Sequence, residues 1–187
     1  MIIAFNKPFG VLSQFTSDSS TYRTLSDFNF PHGVYPLGRL DADSEGLLLL
    51  SDEKHINNAL LHPNHAHKRT YWVQVEGSIQ DSDLSSIRRG TLSIQGRMLL
   101  PGNAEILTDP TVEPRNPPIR VRKFIPDSWI SLTLIEGKNR QVRKMTAAIG
   151  YPTLRLIRVA IGNFRPNDIH PGTWREITAN ELNSIFA

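Results

Sequence analysis

Short apolar runs, either alternating or continuous, dominate the sequence and predict more strands than helices. Residues 71–75 alternate and are aromatic or β-branched, as in a half-buried strand. Four consecutive leucines at 47–50 are too few for a lone helix and indicate a buried strand. The same criteria predict further strands at residues 2–6, 11–15, 91–94, 97–99, 102–107, 129–135, 153–160 and 173–177.

Helical patterns are fewer and short. Capping residues, with glycines or prolines behind them, predict helices from residue 51 or 52 to 61 and at 81–89, 139–149 and 179–186, with a helical turn at 25–28. Residues 110–118 contain four prolines and therefore predict a loop, or a seam between two halves of the chain. The sum predicts an α+β fold, a largely antiparallel mixed sheet with a few flanking helices, in one domain over residues 1–187.

The composition is that of an ordinary globular protein and excludes several classes. With 187 residues, 39% hydrophobic and 21% charged, the chain is neither collagen-like nor mainly disordered. The absence of cysteine excludes disulfides, thiol catalysis and thiolate metal sites. No segment approaches the roughly 20 apolar residues that a membrane helix needs. We expect a soluble, cytoplasmic protein, and nothing in the sequence demands more than a monomer.

Positive charge is concentrated in one part of the chain. Residues 115–165 contain eleven Lys or Arg residues and two acidic residues, a net charge of +9, whereas the remainder of the chain carries −6. This asymmetry points to a polyanionic partner, nucleic acid first. A solvated basic face without a partner explains the charge equally well.

The segment GRLDADSEG at residues 38–46 is the first candidate for chemistry. Three acidic residues lie within five positions, directly before the leucine run. A carboxylate beside an arginine and a buried strand can act as a nucleophile or base. A polar loop that caps the strand is the alternative, and the local pattern alone favours it because acidic residues are common in loops.

Basic residues recur in the segment EGKNRQVRKM at residues 136–145. Arg140 is spaced to share a helix face with Arg143 and with Lys144. Together with the backbone N–H groups of the helix start, these side chains can hold phosphates. An amphipathic helix that buries its apolar residues accounts for the same pattern.

Basic and aromatic residues also meet at positions 68–72. Lys68 and Arg69 lead into Tyr71 and Trp72, and RNA-binding surfaces combine charge for the backbone with a ring face for a base. Alternation along the strand places the two rings on opposite faces, so we expect one of them to be buried in the core.

Three histidines, His62, His65 and His67, lie close together in a predicted loop. They have neither a cysteine nor a helical Glu beside them, so no metal site is predicted. The chain also lacks the motifs of a phosphate-binding loop, a dinucleotide fold and a serine nucleophile elbow.

Taken in order, several segments resemble the RsuA-like ribosomal pseudouridine synthases. They are NKPFGVL at 6–12, the run from GRLD at 38 through the leucines to 50, RTYWVQVEG at 69–77, EGKNRQVRKM at 136–145 and PTLRLIR at 152–158. The resemblance covers essentially the whole chain, and it is carried most specifically by the Arg-Leu-Asp loop and the Arg-Gln-Val-Arg helix.

The resemblance implies both a fold and an activity. The fold would be the pseudouridine synthase catalytic fold, without the small S4 RNA-binding domain with which many relatives begin. The activity would be isomerisation of a uridine in ribosomal RNA, and residues 114–120 narrow that RNA to the large subunit (23S). The resemblance implies no cofactor and no metal.

The resemblance also implies a role for individual residues. Asp41 would attack the flipped nucleotide, at the ribose C1′ or at C6 of the base, and Arg143 would pair with Asp41. Tyr71 would stack on the uracil, and Leu154 would pack beneath it. The residues expected to contact the RNA are Arg39, Lys138, Arg140, Lys144, Arg155 and Arg158.

Two rival functions remain open on the sequence. The first is a catalytically silent RNA-binding or ribosome-assembly factor on the same scaffold, although Asp41, Tyr71 and Arg143 are all present. The second is an aspartate-dependent enzyme acting on free nucleotides or sugars, which would have no need of the basic half. Binding that weakens steeply with salt would favour an RNA ligand over a small one.

Overall fold

The computed structural model describes residues 1–18, 21–61, 67–120 and 122–186, and the chain divides into two compact units. The first unit comprises Met1–His67 and Arg158–Ala187, and the second comprises Lys68–Ile157. Among the described residues, no helix has the length and apolar character that crossing a membrane requires.

The chain forms ten strands and four α-helices in the described residues. The strands are β1 (Ile2–Lys7), β2 (Tyr35–Pro36), β3 (Glu45–Ser51), β4 (Arg69–Glu76), β5 (Ser93–Ile94), β6 (Arg97–Met98), β7 (Asn103–Leu107), β8 (Asp127–Leu134), β9 (Thr153–Ile161) and β10 (Trp174–Glu176). The α-helices are α1 (Lys54–Leu61), α2 (Ser85–Arg89), α3 (Gln141–Ala148) and α4 (Ala179–Phe186). Short 3-10 helices occupy Leu25–Phe28 and Asp81–Leu84.

In the first unit, β3 is the central element of the core. It pairs antiparallel with β1, where Phe5 lies opposite Leu48, and with β2. Strand β1 also pairs antiparallel with β10, where Phe5 lies opposite Trp174. All seven residues of β3 are buried, which explains why this strand reads as a continuous apolar run instead of an alternating one.

In the second unit, β8 lies between β4 and β7 and pairs antiparallel with both. Tyr71 of β4 lies opposite Leu132 of β8. The core on one face of these strands includes Val73, Leu132 and, from α3, Val142 and Met145. The apolar face of α3 therefore packs into the same core as β4.

Most of the predicted elements are confirmed, and so is the α+β class with a mostly antiparallel sheet. The predicted strand at 11–15 is wrong, because only Val11 makes a bridge, to Arg23. The neighbouring backbone groups bond to loop residues instead, from Leu12 N–H to the Arg23 carbonyl and from Leu25 N–H to the Gln14 carbonyl.

The proline-rich stretch at 110–118 holds no regular structure, as predicted. It lies inside the second unit, and the boundaries between units fall after residues 67 and 157. Strand β9 contributes residues 153–157 to the second unit and 158–161 to the first. That residues 1–187 act as one catalytic domain stays a prediction.

Candidate active site

In the first unit, Asp41 lies in the loop that joins β2 to β3, and neighbouring backbone and hydroxyl groups hold this loop on both sides of Asp41. The Ser13 hydroxyl donates to the Leu40 carbonyl at 2.8 Å and accepts from the Leu40 N–H at 3.0 Å. Gly10 N–H donates to the Ala42 carbonyl at 2.7 Å, and Ser44 N–H donates to the Asp41 carbonyl at 3.0 Å. The backbone at Asp41 is thus held from both sides, while its side chain is half-buried.

Lys7 is a buried cation in the same unit, with a relative exposure of 0%. Its ammonium donates to the carbonyl oxygens of Pro8 at 3.0 Å and Val11 at 2.7 Å. Burial lowers the pKa of Lys7 to about 7, although the carboxylates of Glu45, Asp43 and Asp41 act in the opposite direction. The turn at residues 8–11, whose Gly10 N–H bonds to the Asp41 loop, is therefore hydrogen-bonded to a buried lysine with a pKa of about 7.

Arg158, which was expected to contact RNA, is 4% exposed. Its Nε donates to the Leu47 carbonyl at 2.7 Å, at the start of β3. A Cβ on Gly46 would lie 2.3 Å from the Arg158 carbonyl oxygen, and the φ of Gly46 is +98°. The strand that follows the Asp41 loop therefore needs glycine at its second residue, both for space and for backbone conformation.

In the second unit, Tyr71 lies on β4 and packs against the core cluster that contains Val142 and Met145. Tyr71 and Trp72 are both half-buried, and Tyr71 is the ring that packs against the core, so one of the two rings lies against the core as predicted without being fully buried. The two rings lie on opposite faces of the sheet, as predicted, because they are successive residues of β4. Their partners on β8 are Leu132 for Tyr71 and Ser131 for Trp72. Tyr71 thus keeps part of its surface open while its ring rests on the core.

The segment before α3 is organised by one carboxylate. Glu136 accepts from the Leu100 N–H at 3.1 Å and from the Gln141 side-chain amide at 2.6 Å, and it forms an ion pair with Lys138 at 2.8 Å. Burial alone would raise the pKa of Glu136, but Lys138, the Leu100 N–H and Gln141 outweigh it and the pKa is lowered. Gln141 also accepts from the Lys138 N–H at 2.9 Å.

Helix α3 begins one residue after Arg140. Arg140 has φ 50° and ψ 33°, the left-handed region, and caps the helix without belonging to it. The prediction that the helix includes Arg140 is therefore wrong, although the Arg140 carbonyl accepts from the Lys144 N–H at 3.1 Å, and a common face with Arg143 and Lys144 stays a prediction. Arg143 and Lys144 are in the helix and half-buried, whereas Arg140 is exposed.

The family model described as RNA pseudouridylate synthase matches residues 1–148. This chain belongs to that family.

Relatives extend the match to nearly the full length of the chain. A protein of Xanthomonas campestris named ribosomal large subunit pseudouridine synthase E is 50% identical over 94% of each chain. A protein of the same name from Vibrio parahaemolyticus is 47% identical over 94% of this chain and 73% of its own length. A crystal structure of a pseudouridylate synthase superposes with a TM-score of 0.80 at 25% identity, covering 98% of this chain and 73% of the other. The predicted resemblance to ribosomal pseudouridine synthases is confirmed.

The pseudouridine synthase residues fall into the two units as follows. Asp41 and Arg39 lie in the first, and Arg39 is exposed, with its guanidinium 3.4 Å from the Gln14 side-chain oxygen. Tyr71, Arg143 and Leu154 lie in the second. The second unit brings Tyr71 and the helix of Arg143 onto one core, while the pairing of Arg143 with Asp41 stays a prediction.

The expected RNA-contacting residues of this pseudouridine synthase differ in exposure. Lys138 and Arg140 are exposed and Lys144 is half-buried. Arg155 is buried and donates to the Glu113 carbonyl at 2.9 Å, much as Arg158 donates to β3. Buried guanidinium groups bonded to the backbone are the least suited of the set to bind phosphate.

Lys7, Ser13 and the role of Glu136 were not predicted from the sequence. Nothing in the sequence around Lys7 indicates that this lysine is buried. Ser13 lies in a predicted strand, and no local pattern indicates that its hydroxyl bonds to the Asp41 loop. Among the described residues no group of three His, Asp or Glu side chains could hold a metal; His62 and His65 lie outside the described residues. His67 lies 3.2 Å from the Ala59 carbonyl.

Proposed function

We propose that this chain converts a specific uridine of large-subunit (23S) ribosomal RNA to pseudouridine. The observation that carries the proposal is the 50% identity, over 94% of both chains, to a relative named as a ribosomal large subunit pseudouridine synthase. The +9 net charge of residues 115–165 supports a polyanionic substrate. In this proposal the protein works as a monomer in the cytoplasm, and it uses neither cofactor nor metal.

The chemistry is an isomerisation. The bond between N1 of uracil and C1′ of the ribose breaks, the base rotates, and a bond between C5 and C1′ forms. The hydrogen on C5 leaves as a proton and N1 gains one, so no group enters or leaves overall. A uridine within structured RNA must first be flipped out of its stack, which costs roughly a few kcal/mol.

Each proposed catalytic residue supplies one part of this reaction. Asp41 is the nucleophile: it attacks C1′, with N1 of uracil as the leaving group, or adds to C6, and in either route its bond to the nucleotide breaks again before pseudouridine is released. The hydrogen bonds to Leu40 and Ala42 favour a fixed backbone beneath it. Tyr71 stacks on the flipped uracil, which returns about 1–3 kcal/mol, and Leu154 packs against the same base. Arg143 orients Asp41 through a planar, permanently charged guanidinium.

The test is site-resolved pseudouridine mapping of ribosomal RNA from cells that lack the gene. That RNA is then incubated with wild-type protein or with the Asp41→Asn variant. We expect one position to be lost with the gene and to return with wild type alone. An unchanged map, or full activity of Asp41→Asn, would contradict the proposal, and RNA binding without modification would instead favour an assembly factor.

A further inference from the structure

Ser13 lies outside the Asp41 loop yet makes two hydrogen bonds to one of its residues. Its hydroxyl bonds to both the carbonyl and the N–H of Leu40, at 2.8 and 3.0 Å, and the side chain is 3% exposed. A buried hydroxyl that both donates and accepts fixes the orientation of the peptide groups it joins. These are the peptide groups directly before Asp41.

We infer that Ser13 is a positioning residue that aims Asp41, an inference that rests on the proposed function. Leu40 is held by Ser13 and Ala42 by Gly10, so the residues on both sides of Asp41 are tied to the segment 10–13. If the Ser13 hydroxyl is removed, the Leu40 N–H and carbonyl lose a buried partner and the loop can shift. A displacement of about 1 Å at a nucleophile can cost on the order of 100-fold in rate.

Ser51 offers a matched control in the same unit. It is 4% exposed, its hydroxyl donates to the Met1 carbonyl at 2.8 Å, and it accepts from the Glu53 N–H at 3.0 Å. Ser51 ends β3 while Asp41 precedes its start, so roughly 20 Å of strand separates them. Ser51→Ala therefore removes the same kind of hydroxyl without touching the Asp41 loop.

The experiment compares Ser13→Ala, Ser13→Thr and Ser51→Ala in pseudouridine formation on the target RNA, together with their thermal unfolding. We expect Ser13→Ala to lose about tenfold or more in kcat with little change in KM, and Ser13→Thr, which keeps the hydroxyl, to recover most of the loss. Ser51→Ala should match Ser13→Ala in lost stability but keep the wild-type kcat.

Equal kcat values for Ser13→Ala and Ser51→Ala would overturn the inference, as would a Ser13→Thr variant that folds yet is as slow as Ser13→Ala. Should Ser13→Ala not fold, the comparison of Ser13→Thr with wild type decides: a kcat near wild type supports the hydroxyl, and a tenfold loss refutes it. Inactive wild-type protein would refute the proposed function instead, so the two failures are distinguishable.

A different observation concerns Phe124, in the second unit. Its side chain is 88% exposed, and the Lys123 ammonium lies 5.8 Å from its ring centroid. The surrounding turn is structured, because Ile125 N–H donates to the Arg122 carbonyl at 3.3 Å. Gly77 N–H, directly after β4, donates to the Pro126 carbonyl at 2.7 Å. An aromatic ring is thus held out toward solvent beside cations.

We propose that Phe124 stacks on an unpaired base of the RNA while the neighbouring cations contact its phosphates. Arg120, Arg122 and Lys123 are exposed, and Arg122 is tied to Glu76 at 3.2 Å. Cations beside a ring face match single-stranded RNA, in which each phosphate lies next to an unpaired base. This subsite rests on the proposed function for its ligand class.

The test measures binding of a short single-stranded RNA at several salt concentrations. Ile125 is the matched control, since it is the next residue and is 43% exposed but aliphatic. We expect Phe124→Ala to weaken binding about tenfold without changing the salt dependence, whereas Lys123→Ala lowers the slope of log K against log salt by about 0.7. Phe124→Trp should bind as well as wild type.

Phe124→Ala binding within about twofold of Ile125→Ala would overturn the subsite. So would a Phe124→Trp variant that binds as weakly as Phe124→Ala. Binding is scored whether or not the RNA is modified, so a failure here differs from a failure of the proposed reaction.

Discussion

The loop that carries Asp41 and the segment that leads into α3 are held by different kinds of interaction. Around Asp41 the bonds come from a hydroxyl and a backbone N–H, those of Ser13 and Gly10. Before α3 a single carboxylate, Glu136, gathers a backbone N–H, an amide and an ammonium. Neutral bonds change little with salt and pH, whereas a carboxylate with a partly exposed partner depends on both.

The largest expected effect comes from adding a side chain at Gly46, where the strand after the Asp41 loop packs against the backbone of Arg158. Gly46→Ala would place a Cβ 2.3 Å from the Arg158 carbonyl oxygen, at a φ of +98°, and we expect a loss of about 3 kcal/mol or more in unfolding free energy. Urea unfolding measures it. Gly33→Ala is the control, because it has a φ of +87° but nothing within 4 Å, and it should lose about 1 kcal/mol. Equal losses would show that space at Gly46 is not limiting.

Arg143→Lys tests the proposed partner of Asp41 in the second unit. An ammonium cannot make the two parallel bonds of a guanidinium, so we expect kcat to fall about 100-fold with little change in stability. Single-turnover pseudouridine formation measures this. Lys144→Arg, the neighbouring exchange in the opposite direction, should stay near wild type. A wild-type rate for Arg143→Lys would contradict the proposed pairing of Arg143 with Asp41.

Lys7 makes the first region sensitive to pH despite its neutral bonds. Its pKa is about 7 in the fold and 10.5 without burial. Between these values the unfolded chain binds the extra proton, so stability rises with pH through this window and levels off below about pH 7. Unfolding free energies of wild type and Lys7→Met should therefore diverge in favour of wild type as pH rises from 7 toward 10. Parallel curves would contradict the lowered pKa.

Glu136→Gln has the smallest expected effect. The amide loses the ion pair with Lys138 and can keep some hydrogen bonds, so we expect a loss of about 1–2 kcal/mol at neutral pH. The pKa of Glu136 is lowered in the fold, so its stabilisation exists above the unfolded pKa and disappears as pH falls through the folded one. The unfolding free energies of wild type and Glu136→Gln should therefore converge as the pH falls and as salt is added. Glu105→Gln, at an exposed carboxylate of β7, should change little.

Much of the fold could be predicted because each strand and helix carries its own pattern. Alternation marked β4, the leucine run marked β3, and helix α4 was predicted with the bounds it has. Residues 11–15 carried the pattern of a strand, but their hydrogen bonds go to loops, and no local pattern shows which partner a backbone group will find. Strand β2, two residues long and containing Pro36, was missed for the same reason.

The family motifs name candidate site residues, whose roles stay predictions, but they do not predict which charged side chains tertiary packing will bury. Asp41, Tyr71 and Arg143 were identified by resemblance. The burial of Lys7, Arg155 and Arg158 was not, because charged residues are rarely buried and become so only when the fold surrounds them with carbonyl groups. Arg140 left the helix for the left-handed region, which non-glycine residues seldom adopt.

The hydrogen bond from the Leu40 N–H to the Ser13 hydroxyl makes opening of the Asp41 loop observable by hydrogen exchange. An amide in a loop normally exchanges its hydrogen with solvent quickly, but this one is bonded to the hydroxyl of a side chain that is 3% exposed. Its exchange requires the loop to lift away from the segment 10–13. Exchange of the Leu40 amide in deuterated water therefore reports the opening of the Asp41 loop.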